Sequence, residues 1–227
     1  MKINNKAALS FKGGIHPSGN GKELTSDKAV RIAPLFDRYF VLLGQNAGKA
    51  PEPVVAKGDS VKKYQLIAKA SGFVSANLHA PTSGTVAGIV SVPGPMGISA
   101  QAIEIVADGL DEAAEPLHCI DWKEADRKTL LDRVAECGLV GMGGASFPTH
   151  VKLSPPPDKV IDTLIFNGAE CEPYLTADHR LMVEKTENIL IGAAIVGKIL
   201  NVKNIYIGIE INKDDAIKEL QKKADDY

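Results

Sequence analysis

The feature that most restricts the fold is the stretch from Phe40 to about Val106, where short apolar runs alternate with glycine and proline. These runs include YFVLLG, EPVVAKGD and QAIEIVAD, and no helical stripe of useful length interrupts them. Short apolar runs between turn residues are typical of small, tightly turned β-structure. We therefore predict a compact all-β domain in this part of the chain.

Two segments of this stretch, AKGDSVKKYQLIA and LHAPTSGTVAGIV, resemble the halves of a biotinyl/lipoyl-type β-sandwich, a barrel-sandwich hybrid. Gly58-Asp59 and Ser83-Gly84 are expected to turn the chain. Carrier proteins of that family expose a modified lysine between the halves, but residues 71–81 contain no lysine. The resemblance therefore implies a structural or docking module and not a swinging arm.

The pattern changes after the acidic connector DGLDEAAEPLH. Asp121 is predicted to cap a helix from about Trp122 to Cys137. The later elements are predicted as buried strand 160–166, long amphipathic helix 178–200, buried strand 204–209 and charged helix 214–223. The charge-rich end KDDAIKELQKKADDY, residues 213–227, is predicted to be a solvated helix face. Alternating strands and helices indicate an α/β layer with a parallel sheet. We expect further strands to follow, which would make this sequence the N-terminal part of a longer protein.

The glycine-rich segment from Gly138 to Lys152 is the first candidate site. Four glycines within seven residues, followed by a lysine, can turn backbone N–H groups toward an anion or a ring edge. The spacing is not that of a Walker loop, and the segment precedes a strand, where a Rossmann fingerprint would follow one. The alternative interpretation is an ordinary tight turn.

The second candidate segment, Asn167-Gly-Ala-Glu-Cys-Glu-Pro-Tyr174, follows the first predicted strand of the α/β layer. Ligands of open α/β sheets bind beyond the carboxyl ends of the strands, so a site is expected here. Asn167 offers a donor and an acceptor, and Glu170 and Glu172 place two carboxylates close together. The alternative interpretation is an acidic surface loop.

Together, GLVGMGGASFPTHVKL and FNGAECEPYLTADHRLM resemble the paired flavin-site motifs of the NADH-binding subunit of respiratory complex I. The preceding FKGGIHP, residues 11–17, narrows the resemblance to the C subunit of Rnf-type electron transport complexes. The resemblance implies an α+β protein of two domains. A barrel-sandwich hybrid would occupy residues 1–115, and a partial FMN/NADH-binding α/β domain residues 116–227. A cobalamin reductase of propanediol degradation shares the flavin motifs and is the alternative enzyme.

The resemblance also implies FMN and NAD(H) as cofactors. The residues it assigns to cofactor binding are Gly141, Gly143, Gly144, Lys152, Asn167, Glu170 and Glu172. Complex I has an arginine where this chain has Met142, so that contact would be missing. No catalytic side chain and no metal ligand is expected, and the 4Fe-4S clusters of the family would lie beyond Tyr227.

The implied function is NADH- and FMN-dependent electron transfer within a membrane-associated complex that couples ferredoxin and NAD to ion translocation. The implied partners are the other Rnf subunits, including the ferredoxin-like one, at the cytoplasmic face of the bacterial inner membrane. A net charge of -2 without a basic patch argues against nucleic acid, and no apolar run could cross a bilayer. We expect this portion alone to be inactive, and a docking scaffold without chemistry is the alternative from another class.

Overall fold

The computed structural model describes residues 19–94 and 97–225, so the FKGGIHP motif lies outside the described residues. The chain divides into two compact units. The sandwich unit runs from Ala33 to Pro157, and the α/β unit combines the residues up to Ile32 with Asp158–Tyr227. Each unit contains a hydrophobic core of its own.

The sandwich unit contains two antiparallel sheets. Its strands are β1 Arg38–Leu42, β2 Glu52–Pro53, β3 Ser60–Val61, β4 Leu66–Lys69, β5 Leu78–His79, β6 Gly84–Pro93 and β7 Ser99–Ala107. One sheet has the order β1-β7-β6-β3 and the other β2-β4-β5. These two antiparallel sheets, built mostly of short strands, confirm the predicted barrel-sandwich hybrid.

The core of the sandwich unit is aliphatic. Ile67, Ile103 and Ile105 are fully buried, and Val86 is almost so. Burying one such side chain stabilises the folded state by about 1.5–3 kcal/mol, so burying several of them stabilises a small domain substantially. Gly58 has a φ of 95° in the turn before β3, where it is one of the glycines predicted to reverse the chain.

The first helix of the sandwich unit, α1 Arg127–Glu136, begins later than the sequence predicted. The side chain of Asp126 accepts a hydrogen bond from the Thr129 amide at 2.7 Å and caps the helix. Asp121 instead accepts from the Lys123 amide in a separate turn. The predicted start at Trp122 was wrong because two aspartates could cap, and Asp126 is the one that lies a turn before the buried Leu130.

The first element among the described residues of the α/β unit is a short 3-10 helix, Lys22–Leu24. Its other elements are β8 Thr163–Asn167, α3 Ala177–Glu184, α4 Thr186–Leu200, β9 Asn204–Gly208 and α5 Asp214–Ala224. The two strands pair in parallel with Thr163 opposite Asn204, which confirms the predicted parallel sheet.

Two expectations for the helices of the α/β unit were wrong. The single helix predicted for 178–200 is two helices, because Lys185 leaves the helical conformation and the Thr186 hydroxyl donates to the Met182 carbonyl at 2.7 Å. The terminal helix predicted to be solvated buries Ala216 and Leu220, which lie four residues apart on one face.

The strand prediction for 160–166 was also wrong in extent and burial. The strand starts at Thr163, Val160 is 91% exposed, and Ile165 within the strand is 68% exposed. An apolar run shows that a strand is suited to burial, but the packing partners decide whether both faces are covered. In this unit the core lies instead among α3, α4 and α5, around Leu190 and Leu220.

Candidate functional site

The glycine loop, residues 138–148, follows α1 and precedes α2 Thr149–Lys152 in the sandwich unit. Its base is closed by two backbone hydrogen bonds of 2.8 Å, from Gly141 N to Phe147 O and from Thr149 N to Leu139 O. Residues 142–145 between these bonds are exposed. The loop therefore has a fixed base and an apex that faces solvent.

The apex meets the steric conditions for approach by a ligand. A side chain at Gly143 or Gly144 would find no atom within 4 Å, so the backbone there is uncovered. Gly144 has a φ of 126°, a conformation that side chains other than glycine rarely adopt. The neighbouring Met142 is 91% exposed.

Lys152 is placed beside the loop by α2. A Cβ atom on Gly141 would lie 2.7 Å from Lys152 Nζ, so the missing side chain of Gly141 makes room for the ammonium group. The structure thus brings Gly141 and Lys152 together and places a cation next to a run of exposed backbone. That combination suits an anionic group such as a phosphate.

The second predicted segment lies in the α/β unit, directly after β8. Asn167 is exposed, and its Oδ1 accepts the Ala169 amide at 3.0 Å to form a turn. Glu172 is also exposed, so both side chains are accessible to a ligand. Their assignment as cofactor contacts stays a prediction.

Glu170 differs from Glu172 because its side chain is only 1% exposed. It accepts hydrogen bonds from Lys213 Nζ at 2.8 Å and from the Asp178 amide at 2.7 Å at the start of α3. These internal contacts explain a glutamate at this position without a ligand. The cofactor role predicted for Glu170 stays a prediction beside this structural one.

A buried ion network surrounds Glu170. Lys213 Nζ also contacts Glu210 Oε2 at 2.7 Å, and the lysine side chain is 2% exposed. Burial is the largest single influence on the pKa of Glu170 and of Glu210, and it raises both. The Lys213 hydrogen bonds, hydrogen bonds from backbone amides and the Lys213 charge together outweigh burial and lower both pKa values. Burial likewise lowers the pKa of Lys213, and the two carboxylates reverse this and raise it.

The residues before the sandwich hold the same segment from outside. The buried Lys22 donates from Nζ to the Glu170 carbonyl. Tyr174 donates from its amide to the Asn20 carbonyl at 2.8 Å, and its own carbonyl accepts the Thr25 hydroxyl at 2.8 Å. The segment after β8 is therefore fixed on both sides, by Lys213 and by Lys22.

Sequence reasoning missed Lys22 and Lys213. Lys22 is 148 residues from Glu170, and no local pattern connects them. Lys213 was included in a charged stretch that was interpreted as solvated. The sequence did contain one signal for this burial. Ala216 and Leu220 are apolar and lie four residues apart, which identifies the buried face of α5.

Within residues 19–94 and 97–225, no group of three or more His, Cys, Asp or Glu side chains is arranged to hold a metal ion. The three cysteines are free thiols, with Cys119 and Cys171 exposed and Cys137 partly buried. No helix in this described part is long and apolar enough to cross a membrane.

Two protein-family descriptions match the chain, one after the other along the sequence. Residues 9–110 match an RnfC barrel sandwich hybrid domain, and residues 134–227 match a Nuo51 FMN-binding domain. The second match contains both candidate segments. An FMN-binding domain therefore includes the glycine loop and the segment after β8.

Whole-chain relatives give the same result. The chain is 50% identical over 214 residues to the C subunit of the proton-translocating ferredoxin:NAD(+) oxidoreductase complex of Clostridium ljungdahlii, covering 94% of the chain and 47% of the relative. It is 39% identical over 216 residues to the Na(+)-translocating counterpart of Acetobacterium woodii, covering 94% of the chain and 48% of that protein. The chain is similar to RnfC proteins over nearly its whole length.

A further comparison agrees. The C subunit of the ion-translocating oxidoreductase complex of Pseudomonas aeruginosa is 44% identical over 216 residues, covering 94% of the chain and 28% of that relative. The chain thus spans about half the length, or less, of the RnfC relatives that it matches.

Proposed function

We propose that this chain carries the FMN- and NADH-binding part of an RnfC protein. The whole protein would transfer electrons in a membrane-associated complex that couples ferredoxin and NAD to ion translocation. The observation that carries the proposal is the glycine loop, which joins an exposed glycine apex to the Lys152 ammonium within a match to an FMN-binding domain. The names of the relatives support the same activity.

The residues of the glycine loop fit FMN. The bare backbone at Gly143 and Gly144 can approach a ring edge or a phosphate closely, and Lys152 can neutralise phosphate charge. In the α/β unit, the exposed Asn167 can hydrogen bond the edge of a heterocycle, and the exposed Glu172 is accessible to the nicotinamide of NADH. When bound, the flavin would supply the chemistry, taking a hydride from NADH and passing on electrons singly.

Several finer features belong to the same proposal. They are NAD(H) binding, 4Fe-4S clusters in the part of the relatives that this chain does not span, contact with the ferredoxin-like subunit, and a peripheral position at the cytoplasmic face of the membrane. The division into domains at residues 115 and 116 is also proposed. Support for that division comes from the family matches, because the first ends at residue 110 and the second begins at residue 134. It differs from the division into compact units, in which the sandwich unit extends to Pro157.

The test is anaerobic mixing of FMN-loaded, full-length protein with NADH, followed by the visible absorbance of the flavin. We expect rapid bleaching of the flavin absorbance in the wild type. At limiting FMN, the bleaching should be slower in Lys152→Ala and unchanged in Lys57→Ala, which replaces an exposed lysine of the same unit. Reoxidation by ferredoxin supports the Rnf activity. Reoxidation by cob(III)alamin alone would favour a cobalamin reductase, and absence of bleaching would leave a docking scaffold.

A further inference from the structure

The glycine loop rests on loops of the barrel-sandwich hybrid. Ala47, after β1, donates from its amide to the Ser146 carbonyl at 3.3 Å, near the end of the glycine loop. Other contacts come from residues 73–77, between β4 and β5. The exposed apex at 142–145 is therefore flanked by fixed backbone on both sides.

Asn77 holds the beginning of the loop. Its Oδ1 accepts the Ala70 amide at 2.9 Å, while its Nδ2 donates to the carbonyl of Glu136, the last residue of α1, at 3.1 Å. The backbone of Gly138 packs so closely that a Cβ atom there would lie 2.3 Å from the Asn77 carbonyl oxygen. Gly138 also has a φ of 63°, so the close approach and the turn both require glycine.

His150 holds the end of the loop. Its Nε2 lies 3.0 Å from the Phe73 carbonyl oxygen, and because a carbonyl only accepts, Nε2 is the protonated nitrogen. The His150 and Phe73 rings also meet edge to face, with centroids 6.1 Å apart. Since His150 belongs to α2, this contact fixes the helix that carries Lys152.

These contacts fall in the stretch 71–81, where the carrier proteins that the sandwich resembles expose their modified lysine. Here the stretch has no lysine, and two of its residues bind the chain on either side of the glycine loop. We propose that residues 71–81 form a platform that positions the glycine loop and Lys152 for the cofactor. Asn77 and His150 act as positioning residues, and their effect on flavin rests on the proposed function.

The physical reason for such a platform is preorganisation. Glycine-rich backbone has more conformations to lose on binding than any other, so a free loop of this composition would bind weakly. Fixing its two ends before the ligand arrives removes part of that cost. The sandwich would then contribute to cofactor affinity without touching the cofactor.

The test uses two variants of the full-length protein, Asn77→Asp and His150→Ala. Asn77→Asp keeps the shape and the acceptor for Ala70 but cannot donate to Glu136. The readouts are hydrogen exchange at the Gly141 and Thr149 amides without ligand, the Kd for FMN, and the visible spectrum of FMN at saturation. We expect faster exchange at both amides, a Kd raised about five- to tenfold, and an altered spectrum of the bound flavin.

Two further variants separate positioning from general loss of stability. His150→Gln can still donate to Phe73 and should restore the wild-type exchange and spectrum. Glu104→Gln removes a mostly buried carboxylate that pairs with the exposed Arg38 on the β1–β7 pair. It should lower the melting temperature without affecting the exchange, the Kd or the spectrum.

The platform is overturned if Asn77→Asp and His150→Ala leave both amides as in the wild type. It is equally overturned if Glu104→Gln accelerates their exchange as much as these variants do. If the wild type binds no FMN, the proposed function fails, whereas the ligand-free exchange still decides whether the sandwich positions the loop.

Discussion

The two candidate segments are held by opposite means. The glycine loop is fixed through neutral backbone hydrogen bonds at its base, and its apex is left bare. The segment after β8 is fixed by charge, with Glu170 enclosed by Lys213 and Lys22 while Asn167 and Glu172 face outward. Backbone geometry therefore governs the first segment and buried charge the second, and substitutions should separate the two.

The largest effect is expected from Lys213→Met. The change removes the ammonium group shared by Glu170 and Glu210 and leaves two buried or half-buried carboxylates without it. Removing one partner of a buried ion pair costs about 3–5 kcal/mol, because the remaining charge is uncompensated. The free energy of unfolding from urea denaturation should fall by about that amount.

The matched control is Lys223→Met, which removes the lysine of a more exposed pair with Glu187. Exposed ion pairs contribute little, so its urea midpoint should stay close to that of the wild type. Equal losses in the two variants would show that the buried network does not stabilise the segment after β8.

The next largest effect is expected from Gly138→Ala in the glycine loop. The new methyl group would meet the Asn77 carbonyl at 2.3 Å, and the residue would keep a φ of 63°. Strain and overpacking together should cost about 2–4 kcal/mol in the free energy of unfolding. Gly143→Ala, where a Cβ atom meets nothing within 4 Å, is the control and should leave stability unchanged.

The dependence of stability on pH should also distinguish the two segments. The pKa of Glu170 is held below its ordinary value of 4.5, so its stabilising contribution is complete above about pH 4.5 and is lost as the pH falls further. Burial and the neighbouring Glu170 raise the pKa of Asp178, which offsets part of this loss. The net loss of stability at acidic pH should therefore be smaller than the loss caused by removing the Lys213 ammonium group.

Hydrogen exchange can locate that acid sensitivity. After correction for intrinsic rates, protection of the Asp178 and His179 amides, which donate to Glu170, should fall below about pH 4.5. The Gly141 and Thr149 amides donate to carbonyl groups that do not titrate, and should keep their protection. Parallel loss at all four amides would indicate global acid unfolding and contradict the contrast.

The smallest effect is expected from Met142→Arg at the loop apex. Met142 is 91% exposed, so the change should not alter the melting temperature. A new guanidinium group near bound phosphate should tighten FMN binding about two- to fivefold, the range of an exposed charge pair. Met142→Gln, similar in length but neutral, should leave the Kd for FMN unchanged, and an equal gain there would exclude a charge effect.

The fold was predictable where the signal is local. Apolar runs between glycines and prolines located the sandwich, and the runs before Asn167 and after Asn204 located the parallel strand pair. Competing local signals caused the error at α1, where Asp121 and Asp126 could both begin a helix. The break at Lys185 depends on one hydroxyl of Thr186 and leaves the helical periodicity almost unchanged.

The candidate site was predictable only in part for a similar reason. The motifs place Gly141, Lys152, Asn167 and Glu172 in the candidate segments by their order along the chain, and their role as cofactor contacts stays a prediction. The partners of these segments come from residues far away in sequence, as Asn77 does for Glu136 and Lys22 for Glu170. Such contacts exist only once the tertiary fold has formed, and a single sequence carries no pattern that reveals them.

We propose that the glycine loop with Lys152 binds FMN. The most direct test is a fluorescence titration of FMN into full-length protein, wild type and Lys152→Ala, with Lys57→Ala as the control and Glu172→Gln as the probe of the other segment. We expect saturable quenching in the wild type, a Kd for FMN that Lys152→Ala raises at least fivefold, and no change of the Kd in Lys57→Ala. Wild-type protein that does not quench FMN, or Lys152→Ala protein that binds as tightly as the wild type, would contradict it.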